Sequence, residues 1–344
     1  MRLLAIAAMT LLLGLAGAAF IVWPSVSSQF TAAAAQHRLR TQLVFEIDRE
    51  AIRSERLEAA RERLATVMRV VSPAIPIESA SIAEGAVRLE LADSNDTQRA
   101  LSAAGRYGAE NGALGLDIAS PAPGVLEARV NDQQLEALAG EAASQNAEIV
   151  RRRLASFGDR VSVEVTERNH IRVNASAVDD MNRLRTLVGE TGLLTFHLVR
   201  EVAPKDMSAG ALPINTILAP PHPIAGDNAE VVERRVRLTG DELARAHPST
   251  DPQTGEFVLS FQLNSEGARR FCRITRDHTG ERFAILLDGQ VLTAPRINEA
   301  ICGGSGQISG NFTAESATTL AILLRAGALA APMKLIEESA EQQP

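Results

Sequence analysis

Aromatic residues are scarce in this sequence. They make up 3% of its 344 residues, with one Trp and one Tyr. Proteins that bind single-stranded nucleic acid stack bases on aromatic side chains, so this composition does not favour that function. The formal net charge of −7 points the same way, because surfaces that bind nucleic acid or anionic lipid are basic. We therefore expect no nucleic-acid partner and a core built from Leu, Val, Ile and Ala.

Residues arranged for catalysis are also lacking. The six histidines are dispersed, with no His-Glu-x-x-His motif and no nucleophile-elbow spacing. GGSGQISG (303–310) is rich in glycine but lacks the Gly-Lys-Ser/Thr ending of a phosphate-binding loop. His197 alternates with apolar residues, which predicts an exposed strand position, and Asp241 is predicted to cap a helix. The sequence predicts no enzyme, no metal site and no cofactor.

Cysteine occurs only twice, at Cys272 and Cys302. Two interpretations of the pair stay open: a disulfide, which an oxidising compartment permits, or two buried free thiols. A helix containing Cys272 and a strand before Cys302 flank one predicted hairpin. We therefore expect the two Cα atoms to lie within about 7 Å of each other.

An apolar run opens the chain. Residues 3–23 contain a single polar side chain, and a run of this length crosses a membrane as a helix. We interpret residues 1–24 as an uncleaved anchor with its short end in the cytoplasm, although Ala16-x-Ala18 also fits a signal-peptidase site. Residues 25–40 lack hydrophobic periodicity and are predicted to form a tether.

Strand and helix patterns alternate along the rest of the chain. Apolar residues alternate in TQLVFEID (41–48) and then recur at helical spacing, with Asp48 placed to cap the helix. The same theme returns between residues 131 and 200. Strands of alternating polarity belong to antiparallel sheets, which indicates an α+β, ferredoxin-like sandwich.

A proline-rich stretch then marks a boundary. Residues 201–230 hold five prolines and show little periodicity. A different small domain follows, with strands, a capped helix and a hairpin. The Asp288-Gly289 pair of that hairpin is the strongest short turn signal in the chain.

Several segments beyond this boundary resemble the SecD family, the membrane-anchored accessory subunits of the bacterial Sec protein-export channel. The family order is kept in RLTGDEL (237–243), SFQLNSEGARRF (260–271), RFAILLDGQVLTAPRI (282–297), GGSGQISGNFT (303–313) and LAILLRAGALAAP (320–332). Residues 148–199 are similar to the preceding segment of the family, and LVFEID (43–48) is similar to its first strand. The family's Gly-Leu-Asp-Leu-x-Gly-Gly signature is replaced here by HRLRTQ (37–42).

The resemblance implies a base with an inserted head. The base comprises two ferredoxin-like halves, at residues 41–200 and 307–337, the head comprises residues 201–306, and residues 338–344 form an acidic tail. The head is expected to move on hinges. The candidate hinge residues are Pro213, Gly303, Gly304 and Gly306.

The resemblance also implies a role in protein export. It places the chain in the bacterial inner membrane as a single-pass protein with its body in the periplasm, holding unfolded secretory polypeptide. The Sec channel and a SecF-like or other membrane subunit are the implied partners. Relatives continue into five further membrane helices, and without them we expect this chain not to couple proton flow alone. The alternative is an anchored binding or scaffold module that keeps the fold without acting in translocation.

Overall fold

A computed structural model describes residues 39–110, 115–176, 178, 180–200, 212–224 and 228–342. The predicted anchor and most of the predicted tether lie outside these ranges. No helix within them is both long and apolar enough to span a membrane.

Helices and strands alternate through the described ranges. The helices are α1 (Arg49–Val70), α2 (Thr97–Glu110), α3 (Asp132–Leu154), α4 (Met181–Gly189), α5 (Ser265–Asp277) and α6 (Ala314–Ala326). The strands are β1 (Leu39–Ile47), β2 (Ile77–Ala83), β3 (Ala86–Leu91), β4 (Leu116–Ala122), β5 (Val125–Val130), β6 (Val161–Val165), β7 (Ile171–Ser176), β8 (Leu194–Leu198), β9 (Thr216–Ala219), β10 (Glu230–Glu233), β11 (Leu238–Thr239), β12 (Leu243–Thr250), β13 (Phe257–Leu263), β14 (Phe283–Leu287), β15 (Gln290–Thr293), β16 (Ser305–Phe312) and β17 (Met333–Gln342).

One sheet joins the two ends of the described chain. Its strand order is β17-β1-β7-β6, and each neighbouring pair is antiparallel. β17 follows β1 from the Leu39–Gln342 pair to the Ile47–Met333 pair. Residues 338–342, expected in an acidic tail, are instead the second half of this strand, because they pair with the first half of β1.

A second antiparallel sheet lies between β1 and α3 in sequence. Its order is β2-β3-β5-β4, and the β2–β3 turn uses Glu84 and Gly85 with positive φ. The Asp48 carboxylate accepts the Ala51 N–H at 3.2 Å and so begins α1 as predicted. Both sheets and helices α1 to α4 share one apolar core, to which α1 contributes Leu64. We call this unit, the described residues of 39–189 and 333–342, the base.

The head is built from three smaller sheets. Their orders are β11-β8-β14-β15, β12-β13-β16 and β10-β9. The turn between β14 and β15 is the predicted one, with positive φ at Asp288 and Gly289. A cluster of phenylalanine rings joins β8, β13, α5 and β14. Its members are Phe196, Phe261, Phe271 and Phe283.

Two strands expected in the base belong to the head. β8 pairs with β14, with Phe196 opposite Ile285, and β16 pairs with β13, with Phe261 opposite Gly306. The head therefore comprises the described residues of 194–312. Strand pairing decides this placement, because the partners of β8 and β16 are both strands of the head. Every residue of β8 is buried.

Helix α6 lies between the head and the base. Leu320 and Leu324 pack in the head core, whereas Leu323 packs in the base core. The helix ends at Gly327, whose φ of 89° favours glycine. The apolar terminal helix thus has a partner on each side.

Two further predictions about single residues were wrong. His197 is 4% exposed, because β10 covers its face of β8, and its Nδ1 lies 2.8 Å from the Glu233 carbonyl oxygen. Asp241 does not cap a helix. The capping residue of that short 3₁₀ turn is Thr239, in a capping box with Glu242.

Candidate functional site at the head–base junction

The two connections between base and head run side by side. One comprises residues 190–193, between α4 and β8, and the other comprises residues 327–332, between α6 and β17. The Leu329 N–H donates to the Thr191 carbonyl at 2.8 Å. Polar side chains hold both connections.

Arg153, from the last turn of α3, is the main link. Its side chain is almost fully buried, and its guanidinium donates to four backbone carbonyls at 2.5–3.1 Å. The acceptors are the carbonyls of Leu187, Glu190, Thr191 and Gly327. The first three carbonyls lie in the last turn of α4 or just after it, and the Gly327 carbonyl directly follows α6. One guanidinium therefore binds the backbone of both connections between base and head.

The surroundings of Arg153 are crowded and electrostatically balanced. Burial lowers the pKa of its guanidinium to about 10, while the nearby charges of Asp288 and Glu190 oppose that change. The group therefore stays charged at neutral pH. Gly192 has φ of +76°, and a Cβ there would stand 2.7 Å from the Arg153 Nη2. Glycine lets the backbone approach the guanidinium this closely.

The β14–β15 turn docks the head onto the first connection. The Asp288 carboxylate accepts the Gly192 N–H at 3.0 Å and the Leu193 N–H at 2.7 Å. The Asp288 N–H donates to the Leu193 carbonyl at 2.9 Å. The sequence predicted this turn from its residue types, but its contact with the base has no local signal.

Asn146, also on α3, holds the second connection. It is fully buried, and its amide accepts the Ala330 N–H at 2.7 Å and donates to the Ala331 carbonyl at 2.8 Å. Sequence reasoning missed Arg153 and Asn146, because Arg153 is the third of three consecutive arginines, Asn146 follows Ser144 and Gln145, and neither belongs to a motif. A buried Arg or Asn is the exception that marks such a position.

A groove opens beside these connections, between α4, α6 and the head. It encloses about 370 Å³, and we call it the junction groove. Its floor is apolar and contains Ile224, Leu287, Leu320 and Leu323. Its rim is polar and contains Asp180, Asn182, Arg183, Thr186, Glu190, His222, Thr313, Glu315, Ser316 and Thr319.

His222 is the most buried titratable residue of the groove. It is 6% exposed, and its Nδ1 accepts the Ile224 N–H at 3.3 Å. Burial lowers the pKa of the imidazole, although the charge of Asp288 opposes this, so the ring is neutral. A neutral ring that accepts at Nδ1 carries its proton on Nε2. That N–H has no partner among the described residues.

Carboxyl groups from three positions face the groove. The Arg183 N–H donates to Asp180 at 2.8 Å and lowers the pKa of this carboxyl. A hydrogen bond shared with Asp180 raises the pKa of Glu315, the residue that faces it from α6. Burial, and then the charge of Asp288, raise the pKa of Glu190. The mouth of the groove is therefore acidic, with its floor apolar.

The predicted cysteine pair lies away from this groove. Cys272 on α5 and Cys302 before β16 form a disulfide, with their Cα atoms 4.4 Å apart. The Arg276 guanidinium lies 3.4 Å from the Cys272 sulfur. The bond ties the loop before β16 to α5 inside the head.

The predicted hinge residues do not lie between the head and the base. Gly303 and Gly304 lie in the connection from β15 to β16, and Gly306 lies in β16 itself, so all three are within the head. A Cβ on Gly304 would stand 2.6 Å from the Ala268 Cβ, so this glycine serves close packing. The Pro213 carbonyl accepts the Thr216 N–H at 3.2 Å at the start of β9. The connections between base and head are instead residues 190–193 and 327–332.

Comparison with known proteins finds similarity to one family. Residues 220–331 match the family described as the P1 head subdomain of SecDF. The protein translocase subunit SecD of Rickettsia typhi is 38% identical over 221 residues, which cover 62% of this chain and 42% of that protein. The subunit of the same name from Rhodobacter capsulatus is 32% identical over 299 residues, covering 82% of this chain and 50% of that protein. This chain contains a SecD-like domain.

These similarities confirm the resemblance to the SecD family that the C-terminal motifs predicted. The chain spans half or less of the length of these curated relatives. A crystal structure of SecDF in its super-membrane-facing form matches 58% of this chain and 28% of that chain, at 28% identity and a TM-score of 0.48. A TM-score below 0.5 does not establish a shared fold. The architecture of the SecD-like domain rests on its own strand pairings, which give a mixed α+β fold of antiparallel sheets.

Proposed function

We propose that this protein acts in protein translocation, by holding extended polypeptide on the outer side of the bacterial inner membrane. The observation that carries the proposal is the similarity over 299 residues to a protein translocase subunit SecD. The apolar N-terminal run would anchor the chain as a single-pass protein with its body in the periplasm. The Sec channel and a SecF-like or other membrane subunit are the proposed partners.

The junction groove is the proposed holding surface. Unfolded chains expose apolar side chains and unpaired backbone groups, and a groove that binds them must offer partners for both. Ile224, which is half-buried above the buried Leu287 and Leu323, supplies apolar surface, and the His222 Nε2–H supplies a donor. Such binding needs no nucleophile, metal or nucleotide, so we propose a non-catalytic role.

We propose a ferredoxin-like arrangement for the first base sheet. Its strands appear in the sequence as β1, β6, β7 and β17, and they lie in the order 4-1-3-2. Helix α3 joins the first two and α4 follows the third, which supports a split βαβ pattern. The second base sheet and the head are then insertions into this frame.

Export by living cells tests the proposal. The gene would be deleted from its host, and the rate at which a signal-bearing reporter reaches the periplasm would be measured. We expect slower export, restored by the wild-type chain. Co-purification of the membrane-extracted chain with the Sec channel tests the proposed partner. Unchanged export together with no co-purification would favour the scaffold alternative.

A further inference from the structure

The junction groove has an uneven charge distribution. Three carboxyl groups, from Asp180, Glu190 and Glu315, surround an apolar floor. Arg183 is the cationic side chain of the rim, and the nearby Arg153 guanidinium is already bound to backbone carbonyls. A bound segment therefore meets more negative than positive groups at the mouth.

An unused donor lies between the acidic rim and the apolar floor. The His222 imidazole is buried, its Nδ1 is occupied by the Ile224 N–H, and its Nε2–H lacks a described acceptor. This donor faces the open groove, since Nε2 is not among the buried unpaired side-chain atoms of the described residues, and a ligand that brings an acceptor there takes the place of water. The backbone carbonyl of an extended chain is such an acceptor, and a bare metal ion is not.

We propose that the junction groove selects extended polypeptide segments in which a Lys or Arg lies beside apolar residues. The apolar side chains pack on the half-buried Ile224, above the buried Leu287 and Leu323, and the basic side chain reaches Glu190 and Glu315. The His222 Nε2–H donates to a backbone carbonyl of the same segment. This specificity rests on the proposed function, because it concerns which segments the holding surface takes.

Other ligand classes fit the groove less well. An acidic segment would place its carboxylates beside those of Asp180, Glu190 and Glu315, and these like charges repel. A divalent cation would leave the apolar floor exposed, and no group of three His, Cys, Asp or Glu in the described ranges is arranged to hold one. A neutral apolar segment would fit the floor but would add no positive charge to a rim that has three carboxyl groups and one Arg.

Matched peptides test this selectivity on the purified chain. Three labelled twelve-residue peptides that do not fold would share one apolar sequence and differ at a central Lys, norleucine or Glu. Fluorescence anisotropy would give their dissociation constants at low and high salt. We expect the Lys peptide to bind about five- to tenfold more tightly than the norleucine peptide, and the Glu peptide more weakly than both. Added salt should shrink the difference.

Variants assign the effect to the groove. Glu315→Gln, at an exposed position, should remove most of the Lys preference, and Glu190→Gln should add to the loss. His222→Phe should weaken the binding of the Lys and norleucine peptides by a similar factor, since the Nε2–H donates to a backbone carbonyl that both peptides have. Glu164→Gln with Glu167→Gln, two exposed carboxylates on the β6–β7 hairpin, is the matched control and should leave all constants unchanged. Urea midpoints establish that each variant is folded.

The possible outcomes separate the two proposals. If no peptide binds, the holding function itself is wrong. If the norleucine and Lys peptides bind equally, or if the hairpin control removes the preference as Glu315→Gln does, polypeptide holding survives and the selectivity is overturned. A Lys preference that depends on Glu315 supports both.

Discussion

Two buried side chains, Asn146 and Arg153, and the exposed Asp288 bind the backbone where the head meets the base. Asn146 and Arg153 each bind backbone groups of the crossings, and Asp288 binds the same region from the head. Apolar packing tolerates many substitutions of similar size, whereas a buried donor or acceptor tolerates few. These residues are therefore the sensitive points of the junction.

Arg153→Met should strongly destabilise the protein. The methionine keeps part of the apolar stem but removes all four hydrogen bonds, and of the four acceptors the Thr191 carbonyl keeps the Leu329 N–H as a donor, so we expect a loss of about 3 kcal/mol in the free energy of unfolding. Urea unfolding measures this loss. Arg152→Met, at the exposed neighbouring position, is the control and should change stability by less than about 0.5 kcal/mol. Equal effects would mean that Arg153 is not the link described above.

Asp48 should make stability depend on acid pH. Burial raises the pKa of its carboxyl, but the Lys334 ammonium at 2.9 Å and the Ala51 N–H outweigh burial and lower it below 3.8. A carboxyl whose pKa is lower in the folded state stabilises the fold above the unfolded value and loses that contribution as pH falls through the folded value. The stability gap between wild type and Asp48→Asn should therefore be constant above pH 5 and shrink below about pH 4. Urea midpoints from pH 6 to 3 measure it, and a gap that widens in acid would contradict the assignment.

At the scale of elements, close approaches between strands impose requirements on sequence. Gly306 of β16 lies opposite Phe261 of β13, and a Cβ there would stand 2.6 Å from the Phe261 Cζ. The same ring belongs to the phenylalanine cluster of the head core. The glycine-rich stretch that suggested a hinge is thus a packing requirement of the sheet.

Gly306→Ala should accordingly destabilise the head. The added methyl group must displace the Phe261 ring, which costs about 1–3 kcal/mol. Gly303→Ala is the matched control, because a Cβ there would meet only the Ser305 Oγ at 3.9 Å. Thermal unfolding followed by circular dichroism compares the two variants. A hinge role would predict the reverse, with little effect on stability at Gly306.

Local signals explain which elements were predictable from the sequence. The caps at Asp48 and Asn131, and the turns at Glu84-Gly85 and Asp288-Gly289, are each determined by neighbouring residues, and the structure has them. The predicted exposure of His197 was wrong, because alternation along β8 does not reveal that a second layer, β10 with β9, covers that face. Burial on both faces of a strand depends on distant residues.

At the scale of the whole molecule, the crossings between base and head were the least predictable feature. Pairing of β8 with β14 joins residues about ninety positions apart, and composition marks no boundary at residues 190–193. The proline-rich stretch suggested a boundary, yet the chain has entered the head before it. The acidic groove could not be foreseen either, since Asp180, His222 and Glu315 come from three separate segments.

Photocrosslinking from the junction groove tests the central claim most directly. A photoreactive residue would replace Thr186, which lines the groove, or Glu164, which is exposed on β6. Each purified variant would be irradiated with one polypeptide, either folded or reduced and alkylated so that it cannot fold. We predict crosslinks from position 186 to the unfolded form, few to the folded form, and few from position 164 to either. Equal yields from the two positions, or equal yields with the folded and unfolded forms, would contradict a holding surface in the groove.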